Sequence, residues 1–275
     1  MTGLSQLQGR VAVVTGGASG IGRGIATRLV AAGMTVVIAD IEPGALARTA
    51  DEIGAVPIRT DVTDAASVQA LADDMMRRCG RVDVVCNNAG VGSTGLIEAM
   101  TADDWKWVIE VNLWGVINGI RAFMPLLLAN PAGGHVVNTS SMGGLGTMPT
   151  LGGYSATKFA VVAISEALAQ EQALAGSKVG VTVLCPGTVK TNIKASSRNR
   201  PAGQVGTLAD TDLENSDFGA AMRWMDPLEV GDVVVAAIQA GDMYAFTHPE
   251  MGGAILERHR RIEAALEAAA AREPA

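Results

Sequence analysis

The chain has 275 residues, of which 48% are hydrophobic and 18% charged, and its formal net charge is -7. That length and apolar content suffice for a large core in one or two domains. The acidic balance argues against nucleic acid or an anionic membrane surface as the main partner, because both select a basic face. Three cysteines, Cys79, Cys86 and Cys185, are odd in number and lack CxxC spacing. They predict free thiols in a reducing compartment rather than a disulfide framework. The histidines, His135, His248 and His259, are not paired at metal-ligand spacing, so no metal is expected. The first ten residues, MTGLSQLQGR, lack the apolar core of a signal peptide, and no run reads as long enough to span a bilayer. Both point to a cytoplasmic protein with a small-molecule ligand.

In chain order, RVAVVTG is a strand, and GIGRGIATRLVAAGM is a helix with Ile21, Ile25, Leu29 and Val30 on one face and Gly33 as its stop. TVVIAD is the second strand. PGALARTADEIG is a helix with proline at its start and glycine at its end. AVPIRTD is a third, weaker strand. DAASVQALADDMMRRCG is a helix with an aspartate cap and arginines in its last turn. RVDVVCNNAG is a strand, and TADDWKWVIEVNLWGVINGIRAFMPLLLAN a long capped helix. GGHVVNTSS is a strand, YSATKFAVVAISEALAQEQA a second long helix and KVGVTVLCPG a strand. Residues 192–226 are polar and without period. PLEVGDVVVAAIQAG, MYAFTH and GAILERHRRIEAALEAAAA are a helix, a short strand and a terminal helix.

The strands are continuous apolar runs, as expected of parallel strands covered on both faces. No linker divides the chain. The reading is therefore a single α/β domain over residues 1–275, doubly wound around a seven-stranded, mostly parallel sheet.

VVTGGASGIGRG joins the first strand directly to the first helix. Gly16, Gly20 and Gly22 permit a tight turn and close backbone approach to a pyrophosphate, and the helix N-terminus offers N–H groups and a positive dipole end. A general GxGxxG fingerprint would need glycine at position 25, which is Ile25. The second strand ends in Asp40, eighteen residues after Gly22, where a carboxylate accepts bonds from an adenosine ribose. The alternative is a plain turn residue before Glu42-Pro43-Gly44. Residues 40–45 contain no cation, and Ser19 is uncharged, so a 2′-phosphate would meet like charge. NAD is preferred to NADP.

Tyr154 and Lys158, four residues apart, share a helix face, a pattern that carries little meaning alone. In context it does. TGGASGIG at 15–22 resembles the TGxxxGxG motif of the short-chain dehydrogenase/reductase family, NNAG at 87–90 its motif after the fourth strand, and YSATK its YxxxK. Asn112 stands at the position of that family's catalytic asparagine. Ser141 precedes Tyr154 by thirteen residues, as in its Ser-Tyr-Lys set, which favours it over Ser140. PGTVKT at 186–191 resembles its PG motif. The resemblance runs from residue 9 to 247 and implies a Rossmann-type, NAD-dependent alcohol dehydrogenase or ketoreductase.

The resemblance carries residue roles with it. Tyr154 is implied as acid/base, Ser141 as the partner of the substrate oxygen, Lys158 as the group that favours tyrosinate and holds the nicotinamide ribose, and Asn112 as support for a proton relay. The cofactor set is Gly16, Ser19, Gly20, Ile21, Gly22, Asp40, Ile41, Asp61, Val62, Asn88, Ala89, Gly90, Tyr154, Lys158, Pro186, Gly187, Val189 and Thr191. Lysine and an oxidised nicotinamide are needed because a free tyrosine, with a pKa of about 10, is a poor base.

The substrate wall is expected from Ser141, Met142, Gly143, Leu145, Met148, Leu151 and Tyr154, under a lid formed by residues 192–225. The basic stretch KASSRNR in that lid reads as a solvated loop. NLWGVING and KTNIKASSRNRPA also resemble bacterial members that oxidise bulky aryl or cyclic secondary alcohols, lignin-derived Cα alcohols among them. Reduction of 3-oxoacyl thioesters or hydroxysteroids is the alternative. A non-catalytic cofactor-binding regulator would lack Ser, Tyr or Lys. The tail, 250–275, carries an apolar stripe of Ile255, Ile262 and Leu266 that packs on its own domain or on a subunit. By resemblance a homodimer or homotetramer forms through the two long helices.

Overall fold

A computed structural model describes residues 3–272; the ends of the expected domain and tail, 1–2 and 273–275, lie outside the described residues. Seven strands form one parallel sheet: β1 (Val11–Thr15), β2 (Thr35–Asp40), β3 (Val56–Arg59), β4 (Val84–Asn87), β5 (Gly134–Thr139), β6 (Val179–Cys185) and β7 (Tyr244–Phe246). Their order is β3-β2-β1-β4-β5-β6-β7. The chain first builds outward from β1 to β3 and then returns to β4 on the other side of β1. The crevice between β1 and β4 is thus the switch point at which such sheets bind ligands.

Neighbouring strand residues point to opposite faces. Ala12, Val14, Val36 and Ile38 pack against Ile25 and Leu29 of α1 (Gly20–Ala31) and Val230, Val234 and Ile238 of α8 (Pro227–Ala240). Val11, Val13, Val37 and Val85 pack against Leu71 and Met75 of α3 (Ala65–Cys79), Phe123 and Leu127 of α5 (Gly115–Ala129) and Leu168 of α6 (Gly152–Leu174). Helix α2 (Pro43–Ile53) flanks the β2–β3 edge. Burial on both faces is why these strands read as unbroken apolar runs.

Helix α4 (Ala102–Ile109) runs into α5 through a π-helical turn, Glu110–Trp114. The resulting helix, Ala102–Ala129, is long and apolar enough to cross a membrane by length and composition, contrary to the sequence expectation; half of its most apolar stretch is buried inside the domain.

The lid region is more ordered than its sequence suggests. It contains a 3-10 segment over Asn192–Asn199, a bridge between Thr94 and Ala209, and a short helix α7 (Asp217–Ala220). Its basic stretch is not free in solvent: Lys194, Arg198 and Arg200 pair with Asp212, Glu42 and Asp104. The terminal helix α9 (Gly252–Ala270) buries no residue. Its first turns touch the domain, with Ile255 beside the Met142 cluster and Arg258 5.0 Å from the Phe159 ring. Ile262 and Leu266 are exposed.

Candidate active site

The turn after β1 is as tight as its glycines require. Gly16 and Gly20 adopt φ of 65° and 52°, the left-handed region that penalises a side chain. A Cβ on Gly22 would lie 2.1 Å from the Gly16 carbonyl oxygen. The start of α1 is left open: Ser19 stands at its N-cap but its side chain makes no capping bond, and no acidic residue occupies the first turn. Helices α3, α4 and α8 are instead capped by Asp64, Thr101 and Asp226. Uncapped first-turn N–H groups at the end of a dipole form an anion cradle.

This cradle opens into a cleft of about 510 Å³. Gly16, Ser19, Gly20, Ile21, Gly22, Asp40, Ile41, Asp61, Val62, Asn88, Ala89, Gly90, Tyr154, Lys158, Pro186 and Thr191 all line it. Gly187 and Val189 do not: the Gly187 N–H is bonded to Thr247, and Val189 is packed in the core beside α1 and α8. The Asp40 carboxylate accepts from the Ala18 and Glu42 N–H groups at 3.1 Å each. Burial pushes its pKa up, and those bonds oppose the rise. A cation does stand near this end, although residues 40–45 have none. Arg198, from the lid, donates to Glu42 at 3.0 Å, and Asn199 joins it at 2.9 Å. Glu42 is held below its usual pKa by these contacts, the Asn199 bond first.

At the other end, Thr15 organises the NNAG segment. Its hydroxyl accepts from the Asn88 and Ala89 N–H groups at 2.9 and 3.1 Å. Asn112, in the π-turn, is fully buried. Its Oδ1 accepts from Val91 N at 2.8 Å, and its Nδ2 donates to Val91 O and Thr157 Oγ1 at 2.9 and 3.3 Å. The amide is therefore occupied in clamping the chain after β4, and among the described residues no bond joins it to Lys158.

Lys158, buried on α6, donates to Thr139 O at 2.9 Å and lies 5.6 Å from the centre of the Tyr154 ring. Burial lowers its pKa to about 8. Burial also raises the pKa of Tyr154, while a hydrogen bond with Ser141 opposes that rise. The direction is opposite to the expected drop toward tyrosinate, because desolvation of the phenolate outweighs the Ser141 bond. Ser140 lines the cleft, with its Oγ donating to Lys158 O at 2.8 Å; Ser141 does not line it and bonds to Tyr154.

The expected substrate wall is corrected in part. Met142 is buried with Val162, Val183 and Cys185, and Leu145 packs against the same cluster, so both face inward. Gly143 donates its N–H to Ser141 Oγ at 3.0 Å. Met148 is exposed on the rim of a separate groove, and Leu151, half-buried, lines neither cavity. The apolar wall of the main cleft comes instead from Val91, Trp107 and Ile193, with Arg200 beside them. Arg200 lies 5.1 Å from the Trp107 ring and donates to the buried Asp104 at 2.6 Å. These residues have no motif of their own; Trp107 reads in sequence as one more apolar helix position.

A short chain dehydrogenase family model matches residues 10–202. The probable oxidoreductase EphD of Mycobacterium tuberculosis is 37% identical over 231 residues, 82% of this chain. That alignment covers 39% of EphD, so the chain spans well under half of that relative's length. The C alpha-dehydrogenase of Sphingobium sp. (strain NBRC 103272 / SYK-6) is 33% identical over 264 residues, covering 93% of this chain and 86% of its own. A crystal structure of a short chain dehydrogenase/reductase from Burkholderia phymatum in complex with NAD superposes with a TM-score of 0.89 at 38% identity, over 94% of this chain and 96% of that one. The chain belongs to the short-chain dehydrogenase family.

Proposed function

We propose that the protein transfers hydride between NAD and a secondary alcohol or ketone, with Tyr154 as the acid/base. The observation that carries this reading is one cleft with an uncapped helix N-terminus and Asp40 at one end and Tyr154, bonded to Ser141, at the other. The residues fit the cofactor: the glycine turn has no room for side chains, and the open first turn of α1 has the polarity a pyrophosphate needs. Gly16, Ser19, Gly20, Ile21 and Gly22 would hold the phosphates, Asp40 and Ile41 the adenosine ribose, Asp61 and Val62 the base, and Asn88, Ala89, Gly90, Lys158, Pro186 and Thr191 the nicotinamide half. NAD, when bound, accepts or supplies the hydride. The Burkholderia relative's NAD complex supports the choice of cofactor.

In the oxidising direction, the Tyr154 oxygen takes the hydroxyl proton of the alcohol, and Ser141 Oγ hydrogen-bonds the same substrate oxygen as it becomes a carbonyl. Lys158, fixed on Thr139 O, keeps a positive charge near the phenol in its protonated form. Asn112 acts on the site by clamping Val91. Val91, Trp107 and Ile193 favour an apolar substrate. Likeness to the C alpha-dehydrogenase favours a bulky aryl or cyclic carbinol. The test is NAD reduction over aryl carbinols, cyclic alcohols, hydroxysteroids and hydroxyacyl thioesters. Turnover confined to thioesters or steroids would replace the aryl assignment, and no turnover with any of them would remove the enzymatic reading.

We also propose a homodimer or homotetramer built on the two long helices, the first of which exposes Trp114 in its π-turn and Leu128 in α5, two heptads apart. A monomer in sedimentation velocity would overturn it.

A further inference from the structure

His248 is 1% exposed, lies outside the cleft and has no part in the proton transfer described above. It lies two residues beyond β7 and touches the root of the lid and the Pro186–Gly187 peptide. Its Nε2 faces the Arg223 carbonyl at 3.1 Å, and Arg223 lies at the root of the lid. A carbonyl only accepts, so Nε2 carries a proton, and in the tautomer with that single ring proton Nδ1 is the acceptor. Nδ1 lies 2.6 Å from Thr247 Oγ1, whose hydroxyl donates to it. That same oxygen accepts the Gly187 N–H at 3.0 Å. Every bond in the chain from Gly187 to Arg223 therefore has one direction.

The Gly187 N–H belongs to the same planar peptide as the Pro186 carbonyl. On its other edge, that carbonyl accepts from Met142 N at 2.9 Å and faces Ser141 Oγ at 3.5 Å. The peptide is held between the Ser141 loop and the Thr247–His248 pair. Steric fit fixes it as well: a Cβ on Gly187 would lie 2.6 Å from His248 Cγ and 2.7 Å from Met251 Sδ, so the glycine of the PG pair is required by the imidazole behind it. The lid root is tied to the same point, since Arg223 donates to Thr247 O at 2.6 Å and Met225 N to Thr188 O at 3.0 Å.

We propose that His248 is a positioning residue: through Thr247 it sets the plane of the Pro186–Gly187 peptide, and thereby Ser141, and through Arg223 it ties that plane to the lid. The assignment of an effect on turnover rests on the hydride-transfer reading above; the mechanical coupling does not. Two isosteres separate the arms. His248→Asn keeps an acceptor near the Nδ1 position and loses the donor toward Arg223. His248→Gln keeps a donor near Nε2 and loses the acceptor toward Thr247.

Hydrogen–deuterium exchange on the full chain reads the coupling without any substrate. In His248→Gln and Thr247→Val, exchange at the Met142 and Gly187 amides should accelerate on the order of five- to tenfold, the range expected for loss of one hydrogen bond. In His248→Asn the acceleration should fall instead on residues 188–190 and 223–225. In turnover assays, kcat should fall more in His248→Gln than in His248→Asn, and the substrate KM should rise more in His248→Asn. Equal exchange changes in both variants, or changes confined to residues 247 and 248, would show a merely structural histidine. Failure of the wild-type chain to bind NADH in a fluorescence titration would remove the hydride-transfer reading and leave the exchange pattern to decide the coupling.

Discussion

Lys158 holds its ammonium 5.6 Å from the centre of the Tyr154 ring while donating to Thr139 O at 2.9 Å, so one helical turn of α6 and the end of β5 together fix the charge against the phenol. Substitution of Tyr154 by Phe removes the oxygen to which we assign proton exchange with substrate and leaves the ring packing. We expect kcat to fall on the order of 10²–10⁴-fold with NADH affinity kept within a few-fold. Near-normal kcat in a folded Tyr154→Phe protein would remove Tyr154 from its role.

The depressed pKa of Lys158 has a measurable consequence for stability. Burial brings it to about 8 in the folded chain, against 10.5 for an ordinary lysine. Below pH 8 both states carry the proton, and the folded state bears the full cost of a buried ammonium. Between pH 8 and about 10, the unfolded chain keeps a proton that the folded one has released, so the contribution of Lys158 to stability rises with pH. Relative to Lys158→Met, the wild-type chain should therefore gain up to ~1.4 kcal/mol per pH unit over that interval. Urea unfolding of both proteins at pH 7, 8, 9 and 9.5 measures it. Parallel stability curves would show that the lysine does not titrate in this window.

Much of this site was legible before the fold was known, because its parts are local. A glycine turn, a carboxylate at a strand end and a Tyr–Lys pair at helical spacing each declare themselves within a few residues. The central strands were readable because burial on both faces leaves mostly apolar side chains in them. Contacts made across the chain were not readable. Arg198 reaches Glu42 over 156 residues and Arg200 reaches Asp104 over 96, so a stretch that looked like a solvated basic loop is ion-paired to two distant elements. Met142 misled for a similar reason: its position beside Ser141 suggested a substrate wall, but the 3-10 turn Met142–Gly144 directs it into the core. His248 gave no signal, since a lone histidine after a short strand has no motif.

Coenzyme preference should turn on Asp40 and Glu42 together. Asp40 repels a 2′-phosphate, and Glu42 neutralises Arg198, the cation that could receive one. Asp40→Ala should lower kcat/KM for NAD and raise it for NADP. Adding Glu42→Gln should raise the NADP value further by freeing Arg198, and should do so less when Asp40 is intact. Steady-state kinetics with both coenzymes on the single and double variants gives the answer; a double variant that still excludes NADP would mean that the glycine turn, not these carboxylates, sets the preference.

Asp104 is the anchor of the lid. It is fully buried at the start of α4, where it completes a capping box with Thr101. It also accepts from the Thr207 N–H at 2.9 Å and from Arg200 at 2.6 Å. Despite the burial that pushes its pKa up, these donors hold the carboxyl far below the usual carboxylate range, so the anchor persists throughout the physiological pH range. Asp104→Asn keeps the side-chain size and one acceptor oxygen but loses the charge that pairs with Arg200. Breaking one member of a buried pair leaves the other uncompensated, at a cost of about 3–5 kcal/mol where the partner stays buried. The lid has a cheaper response, which is to swing Arg200 into water. We therefore expect a smaller loss of global stability than that figure, together with faster amide exchange over residues 200–208 and a raised substrate KM, because Trp107 loses the guanidinium stacked on it. A large fall in Tm with no change in exchange over 200–208 would place Asp104 in the helix cap alone and leave the lid to its other contacts.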